Sequence, residues 1–94
     1  MTKFTVRVEL HNAISKDYEN LHEKMERAGF KRTITTKSGK VYRLPDAEYS
    51  ISKDKTTDEI RDLAHDTAKK VKSNPSILVT KSDGDRSWSG LSED

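Results

Sequence analysis

The feature that most limits the possible folds is a repeated order in which an amphipathic helical segment lies between two segments with strand character. Apolar residues recur at spacings of three and four within residues 18–28 and again within 60–71, which is the pattern of one buried helix face. Residues 3–10 alternate apolar and polar side chains, as a half-buried strand does. A chain of 94 residues has room for one such domain. We therefore expect a single α+β domain.

The order of the segments predicts a ferredoxin-like βαββαβ fold. Right-handed crossovers would place both helices on one face of a four-stranded antiparallel sheet. The third strand should break near Pro45, because proline lacks a backbone donor. Residues 1–82 would form this domain, and 83–94 a polar, flexible C-terminal tail that is loose in the monomer or packs along an edge or on a partner chain. The strands are expected at residues 3–10, 30–37, 41–51 and 76–81.

Local signals mark the ends of both helices. Ser15 has the side chain of an N-cap for the first helix, and Gly29 suits the left-handed conformation that ends it. Thr56 and Glu59 have the spacing of a capping box at the start of the second helix.

Composition excludes several classes of protein. The chain has no cysteine, which rules out disulfides, thiol nucleophiles and thiolate metal sites. No apolar stretch approaches a signal-peptide core or a membrane span, so we expect a cytoplasmic protein without membrane contact. With 31% hydrophobic and 36% charged residues the core must be modest, and a homodimer would hide surface that one copy exposes.

Positive charge is concentrated in the predicted hairpin. Residues 29–43 contain five basic side chains and no acidic one. Such an excess favours contact with phosphate, although lysines also protect the edge strands of sheets. The basic residues are Lys31, Arg32, Lys37, Lys40 and Arg43.

Three histidines are the candidates for acid–base chemistry. His11 follows the first strand, His22 flanks the buried stripe of the first helix, and His65 lies in the second helix. Imidazole titrates near neutral pH and can take the proton of a ribose 2′-hydroxyl. The alternative is that each is a surface or boundary residue. The sequence contains no phosphate-binding glycine loop and no spacing typical of a metal site, so we expect neither cofactor nor metal.

Two stretches resemble a known family. Residues 44–51 (Leu-Pro-Asp-Ala-Glu-Tyr-Ser-Ile) and 59–63 (Glu-Ile-Arg-Asp-Leu) resemble the GhoS-type antitoxins, which are small endoribonucleases of type V toxin–antitoxin systems. The resemblance extends over roughly residues 4–81 and implies a ferredoxin-like domain that cleaves a toxin messenger RNA. CRISPR adaptation nucleases share that fold and use an aspartate after the first strand. This chain has His11 and Asn12 there, so their metal site is not carried over.

These observations give one leading hypothesis and two alternatives. The first is an RNA-binding antitoxin that cleaves toxin mRNA without a metal, with His22 or His11 as the base. Its RNA contacts would be Arg7, Lys31, Arg32, Lys37, Lys40 and Arg43. The second is a non-catalytic ferredoxin-like dimer that binds protein or RNA. The third is a small-molecule regulatory domain of the ACT type, for which the sequence has no glycine-rich loop.

Overall fold

A computed structural model of the chain describes residues 2–82 and 86–94, so residues 83–85 of the predicted tail lie outside the described residues. The fold is α+β, as predicted. Neither described helix is long and apolar enough to cross a membrane. The elements in chain order are β1 (Thr2–Glu9), α1 (Ser15–Arg27), β2 (Thr33–Thr35), β3 (Val41–Arg43), β4 (Glu48–Lys53), α2 (Thr57–Lys69) and β5 (Ser76–Lys81).

The strands form two sheets where the sequence predicted one. β1 lies between β4 and β5 and is antiparallel to both, while β2 and β3 form a separate two-stranded hairpin. The predicted third strand is divided because Pro45 has no amide to donate and Ala47 has a φ of 63°. One bridge joins the hairpin segment to β4, where Lys31 and Ser50 exchange backbone hydrogen bonds of 2.8 and 2.7 Å.

Both helices bury side chains in one core against the same face of β1. Phe4, Val6 and Val8 point into this core and are at most 1% exposed. On the opposite face Arg7 and Leu78 are exposed, while Ile34 of the hairpin and Trp88 share a cavity wall with Thr5. The predicted helix stripes are confirmed, since their central residues Leu21, Met25, Ile60, Ala64 and Ala68 belong to this core.

Two of the three predicted helix ends are confirmed. The amide of Glu59 donates to Thr56 Oγ1 (3.1 Å), and the amide of Thr56 donates to the Glu59 carboxylate (3.0 Å). Gly29 has a φ of 100° and ends α1, where the Phe30 amide bonds back to Met25 (3.0 Å).

The predicted N-cap of α1 is wrong by one position. Ile14 occupies the N-cap, and Ser15 is the first helical residue. Isoleucine has no acceptor for the free amides of the first turn. The Asp17 carboxylate nevertheless accepts a hydrogen bond from the Ile14 amide at 3.0 Å. At this helix start the side-chain hydrogen bond is therefore made by a residue of the first turn and not by the N-cap residue.

The last described residues run along β3. The Arg43 amide donates to the Ser92 carbonyl and the Asp94 amide donates to the Val41 carbonyl, both at 2.9 Å. These bonds surround a bridge between Tyr42 and Glu93. Residues 92–94 therefore lie along the edge of the hairpin.

Candidate functional site

A cavity of about 470 Å³ opens where β1 ends, α1 begins and the chain enters β4. We call it the histidine pocket. Because three elements meet here, residues far apart in sequence are brought together. Its polar lining residues are Arg7, Glu9, Ser15, Tyr18, Glu19, His22 and Asp46.

Hydrogen bonds to the end of β1 fix the shape of the histidine pocket. The Tyr18 hydroxyl accepts the Leu10 amide (3.1 Å) and donates to the Leu10 carbonyl (3.3 Å), so α1 is tied to the chain just after β1. The Val8 amide donates to the Ala47 carbonyl at 2.9 Å, which holds the turn before β4 on the other side. These hydrogen bonds therefore hold two walls of the pocket in place.

His22 is held by the core through Tyr49. The Nδ1 atom of His22 lies 2.6 Å from the hydroxyl of Tyr49, and the two ring centroids are 5.8 Å apart. Tyr49 is fully buried, and that burial raises its pKa, so the hydroxyl keeps its proton at neutral pH. In the tautomer whose Nδ1–H donates to the Tyr49 hydroxyl oxygen, Nε2 carries no proton and is the ring nitrogen that can accept one from a substrate.

The surroundings of His22 favour its neutral form. Burial is the largest effect and lowers the pKa below 6.5, and the guanidinium of Arg32 lowers it further. The carboxylates of Asp46 and Glu26 act in the opposite direction and do not reverse the shift. At pH 7 the imidazole is thus uncharged and able to accept a proton.

His11 lies elsewhere, on the β5 side of the sheet. Its Nε2 is 2.8 Å from the Ser76 hydroxyl, and its Nδ1 is 3.8 Å from the Glu9 carboxylate. It does not line the histidine pocket. The structure therefore does not bring the two predicted catalytic histidines into one pocket.

A second cavity of about 410 Å³ gathers three of the predicted RNA-contact residues. Lys31, Arg32 and Arg43 line it, and we call it the basic groove; the acidic residues Glu26 and Asp94 also lie in its wall. Arg32 connects this groove with the histidine pocket, because its guanidinium is 3.6 Å from the carboxylate of Asp46. The side chain of Arg32 is only 24% exposed, so it is held between the two cavities.

The other three predicted contacts lie in different places. Arg7 is exposed in the wall of the histidine pocket. Lys37 and Lys40 are exposed at the turn of the hairpin on either side of Gly39, and neither lines the basic groove. The cations thus form a near group around the two cavities and a distant pair at the hairpin turn.

The charge of the two cavities differs. Glu9, Glu19 and Asp46 give the histidine pocket more acidic than basic side chains, which suits hydroxyl donors better than phosphate. The basic groove suits an anion. Within residues 2–82 and 86–94, no three or more His, Asp or Glu side chains form a group that could hold a metal ion.

Tyr49 is not among the residues that the sequence patterns single out for chemistry. Its alternation with Ile51 shows an inward-facing strand position, which is correct. The missed signal is its hydroxyl, because a buried tyrosine needs a hydrogen-bond partner and a polar residue flanking a helix stripe can supply one. The sequence patterns did not identify Asp46 and Tyr18 as pocket residues, because the pocket is formed by segments that are far apart in the chain.

Comparison with known proteins identifies the family. No curated protein matches the chain. The family model described as Endoribonuclease GhoS matches residues 1–84, which are most of its length. The match includes His22, Tyr49 and every side chain of the basic groove except Asp94. On this evidence the chain belongs to the GhoS endoribonuclease family.

Proposed function

We propose that the chain cleaves RNA at the histidine pocket and acts as an antitoxin by cleaving the messenger RNA of its toxin. The observation that carries this proposal is the contact between His22 Nδ1 and the hydroxyl of buried Tyr49 beside a groove of cations, where burial lowers the pKa of His22 and favours its neutral form. Membership of an endoribonuclease family supports RNA as the substrate. The cytoplasm, where messenger RNA is found, is the compartment that this function requires.

The chemistry assigned to His22 is proton transfer without a metal. Nε2 takes the proton of a ribose 2′-hydroxyl, and the resulting oxygen attacks the adjacent phosphorus. The bond from phosphorus to the 5′-oxygen breaks, and that oxygen takes a proton from solvent. The products are a 2′,3′-cyclic phosphate and a 5′-hydroxyl end. His11 is the second candidate base, supported only by its accessibility next to Ser76.

The two cavities suggest how RNA would lie. The carboxylates of the histidine pocket accept hydrogen bonds from ribose hydroxyls, while the basic groove binds phosphate through Lys31, Arg32 and Arg43. Arg32 lies between them and is placed to stabilise charge on a phosphate next to His22. The exposed Arg7, Lys37 and Lys40 extend the contact along the strand, which makes binding dependent on salt.

The test is cleavage of a labelled RNA pool by purified wild-type and variant proteins, with and without a chelator. His22→Ala should lower the rate at least ~100-fold, the contribution of a general base. The matched control is His65→Ala, which changes a half-buried histidine of α2 and should keep full activity. Full activity of His22→Ala would remove His22 from the mechanism. Products ending in 5′-phosphate, or complete inhibition by the chelator, would contradict the metal-independent step.

The antitoxin role needs a separate test. A neighbouring gene for a very short, strongly apolar membrane peptide would identify the toxin. Co-expression with the wild-type chain should remove that transcript and restore growth, while the His22→Ala variant should leave the transcript intact. Growth restored with an intact transcript would contradict mRNA cleavage as the antitoxin mechanism.

We also propose that the fold is ferredoxin-like with a reduced edge strand. The proposed spatial order is residues 31–35, β4, β1 and β5, and the bridge between Lys31 and Ser50 supports it. On this proposal the second strand of the fold pairs with β4 only at the bridge between Lys31 and Ser50, and the chain then continues into the β2–β3 hairpin.

A non-catalytic dimer is the alternative function, and one observation favours it. Among the described strands β5 pairs only with β1, and Leu78 on this edge strand is 63% exposed. Exposed strand edges with apolar side chains pair with other chains. This alternative predicts a stable homodimer in sedimentation, lost in Leu78→Lys, and no cleavage of any RNA. A monomer that cleaves RNA would reject it.

A further inference from the structure

Residues 86–94 lie against the hairpin that carries the basic groove. We call this segment the strap. It is antiparallel to β3, where backbone hydrogen bonds link Arg43 to Ser92 and Val41 to Asp94 at 2.9 Å. The family match ends at residue 84, so the strap lies outside the part of the chain that the family model describes.

The side chains of the strap cover groups that RNA would use. The Asp94 carboxylate lies 3.4 Å from the guanidinium of Arg43 and forms part of the wall of the basic groove. The centroids of the Trp88 and Tyr42 rings are 5.7 Å apart. Without Trp88, the Tyr42 ring would offer a stacking surface next to Arg43. The strap thus pairs one cation and covers one aromatic ring of the same hairpin.

We propose that the strap is an internal competitor of RNA, which occupies the basic groove in the free protein and must leave it for RNA to bind. This inference rests on the proposed function. A guanidinium donates hydrogen bonds to carboxylate and phosphate oxygens in the same geometry. The Asp94 carboxylate therefore occupies the position at Arg43 where a phosphate oxygen would bind. Displacement exchanges one anion for another at Arg43.

Two observations favour displacement of the strap. Its ion pair is exposed, with side-chain exposures of 56% for Arg43 and 44% for Asp94, and exposed pairs contribute little. Within the described residues, the Nε and Nη2 atoms of Arg86 are buried without a hydrogen-bond partner. Release of the strap would hydrate these atoms and recover the cost of burying them. This cost favours the open state and partly offsets the contacts with β3.

A reversible cross-link tests the strap directly. Tyr42 and Glu93 are partners across an antiparallel bridge and do not exchange backbone hydrogen bonds with each other, a pair whose spacing suits a disulfide. The full-length double variant Tyr42→Cys/Glu93→Cys has no competing thiol, because the chain has no cysteine. Oxidised protein should bind a fluorescent single-stranded RNA pool about ten-fold more weakly than the same protein after reduction, the loss expected from one charge-assisted contact. The single variants should show no effect of reduction.

A second variant keeps the test valid if the cross-link distorts the hairpin. Asp94→Asn removes the competing charge and should strengthen RNA binding about two- to five-fold at low salt. Asp66→Asn on the exposed face of α2 changes the net charge equally and is the control. It should bind RNA more weakly than Asp94→Asn does.

The outcomes separate this inference from the proposed function. Equal RNA affinity in the oxidised and reduced forms, together with no gain in Asp94→Asn beyond the control, would overturn the strap while RNA cleavage stands. No RNA binding by any form would overturn both. Weaker binding in the oxidised form alone, or a gain specific to Asp94→Asn, supports displacement of the strap.

Discussion

The side chain of Tyr49 belongs to both the core and the histidine pocket. Its ring fills the core beneath β4, next to Phe30 at a centroid distance of 6.4 Å, while its oxygen bonds His22 at the pocket. The imidazole therefore has an orientation that core packing sets. A base held this way needs no reorganisation when a substrate arrives.

The pKa of His22 leads to a prediction about stability. Folding lowers this pKa below its unfolded value of 6.5, so below that pH the unfolded chain binds the proton more readily than the native one. The contribution of neutral His22 to the free energy of unfolding is fully present above pH 6.5. It is lost as the pH falls through the lower pKa of the native state. In urea titrations, the free energy of unfolding of His22→Gln should depend less on pH in this acidic range than that of the wild type.

The same shift gives a matching prediction for activity. Cleavage needs the neutral imidazole, so the acid limb of the pH–rate profile should have its midpoint below pH 6.5. A midpoint above that value would mean that a different group supplies the base. The control for the stability measurement is His65→Gln, which should follow the wild-type pH dependence.

Sequence patterns identified His22 as a candidate but left its role open against that of His11. The choice depends on contacts between residues 22 and 49 and between 11 and 76, which local spacing does not encode. The cations show the same limit. Clustering in sequence grouped Lys37 and Lys40 with Arg43, yet the hairpin turn separates them from the basic groove.

The two helices begin in different ways, and this difference has an energetic consequence. α2 starts with a complete capping box, in which Thr56 and Glu59 each satisfy an amide of the other. The N-cap of α1 is Ile14, a residue that is 67% exposed and whose side chain accepts no hydrogen bond. The first turn of α1 therefore lacks the side-chain acceptor that α2 has.

Ile14→Ser should stabilise the protein. Ile14 already has the extended backbone of an N-cap, with φ −106° and ψ 171°, so a serine hydroxyl there can accept an amide of the first turn without a backbone change. We expect a gain of about 0.5–1 kcal/mol in the free energy of unfolding. Chemical denaturation measures it.

The reference for that measurement is Thr56→Ala, which should lose about 1 kcal/mol by removing the corresponding acceptor from α2. The neighbouring exposed Thr57 supplies a matched control, because Thr57→Ala leaves the capping box intact. An Ile14→Ser variant less stable than the wild type would show that the apolar side chain contributes more there than a cap would.

Patterns along the chain predicted the helices and outer strands well because their signals are local. Alternation marked β1, and the stripes marked both helices, within a few residues of the observed bounds. The division of the predicted third strand was only partly visible. Pro45 indicated a break, but the left-handed conformation of Ala47 and the separation of the hairpin as a sheet of its own depend on tertiary contacts.

The molecule as a whole has a main core and a hairpin that lies outside that core. The three-stranded sheet and the two helices share the main core, whereas the hairpin joins β4 through Lys31 and Ser50, with a further bond from the Ser50 hydroxyl to the Thr33 carbonyl at 2.7 Å. Segments with few buried contacts open more often than the core.

Hydrogen exchange should show these two parts. Amides of β1, which has a paired strand on both sides, should exchange slowest, and those of β2 and β3 should exchange faster. The amide of Lys31 decides whether the ferredoxin-like description holds. Protection equal to that of β4 would make this segment a true fourth strand, while exchange at the rate of β3 would assign it to the hairpin.

The attachment of the hairpin through Lys31 has an evolutionary consequence. Gly39 at its turn has open space around it, and none of the hairpin residues 32–44 belongs to the main core. The cationic surface can therefore change in length and composition while the scaffold stays intact. Descendants of one ancestral chain could acquire different target transcripts by altering this appendage, without repacking the interior that holds His22 in place.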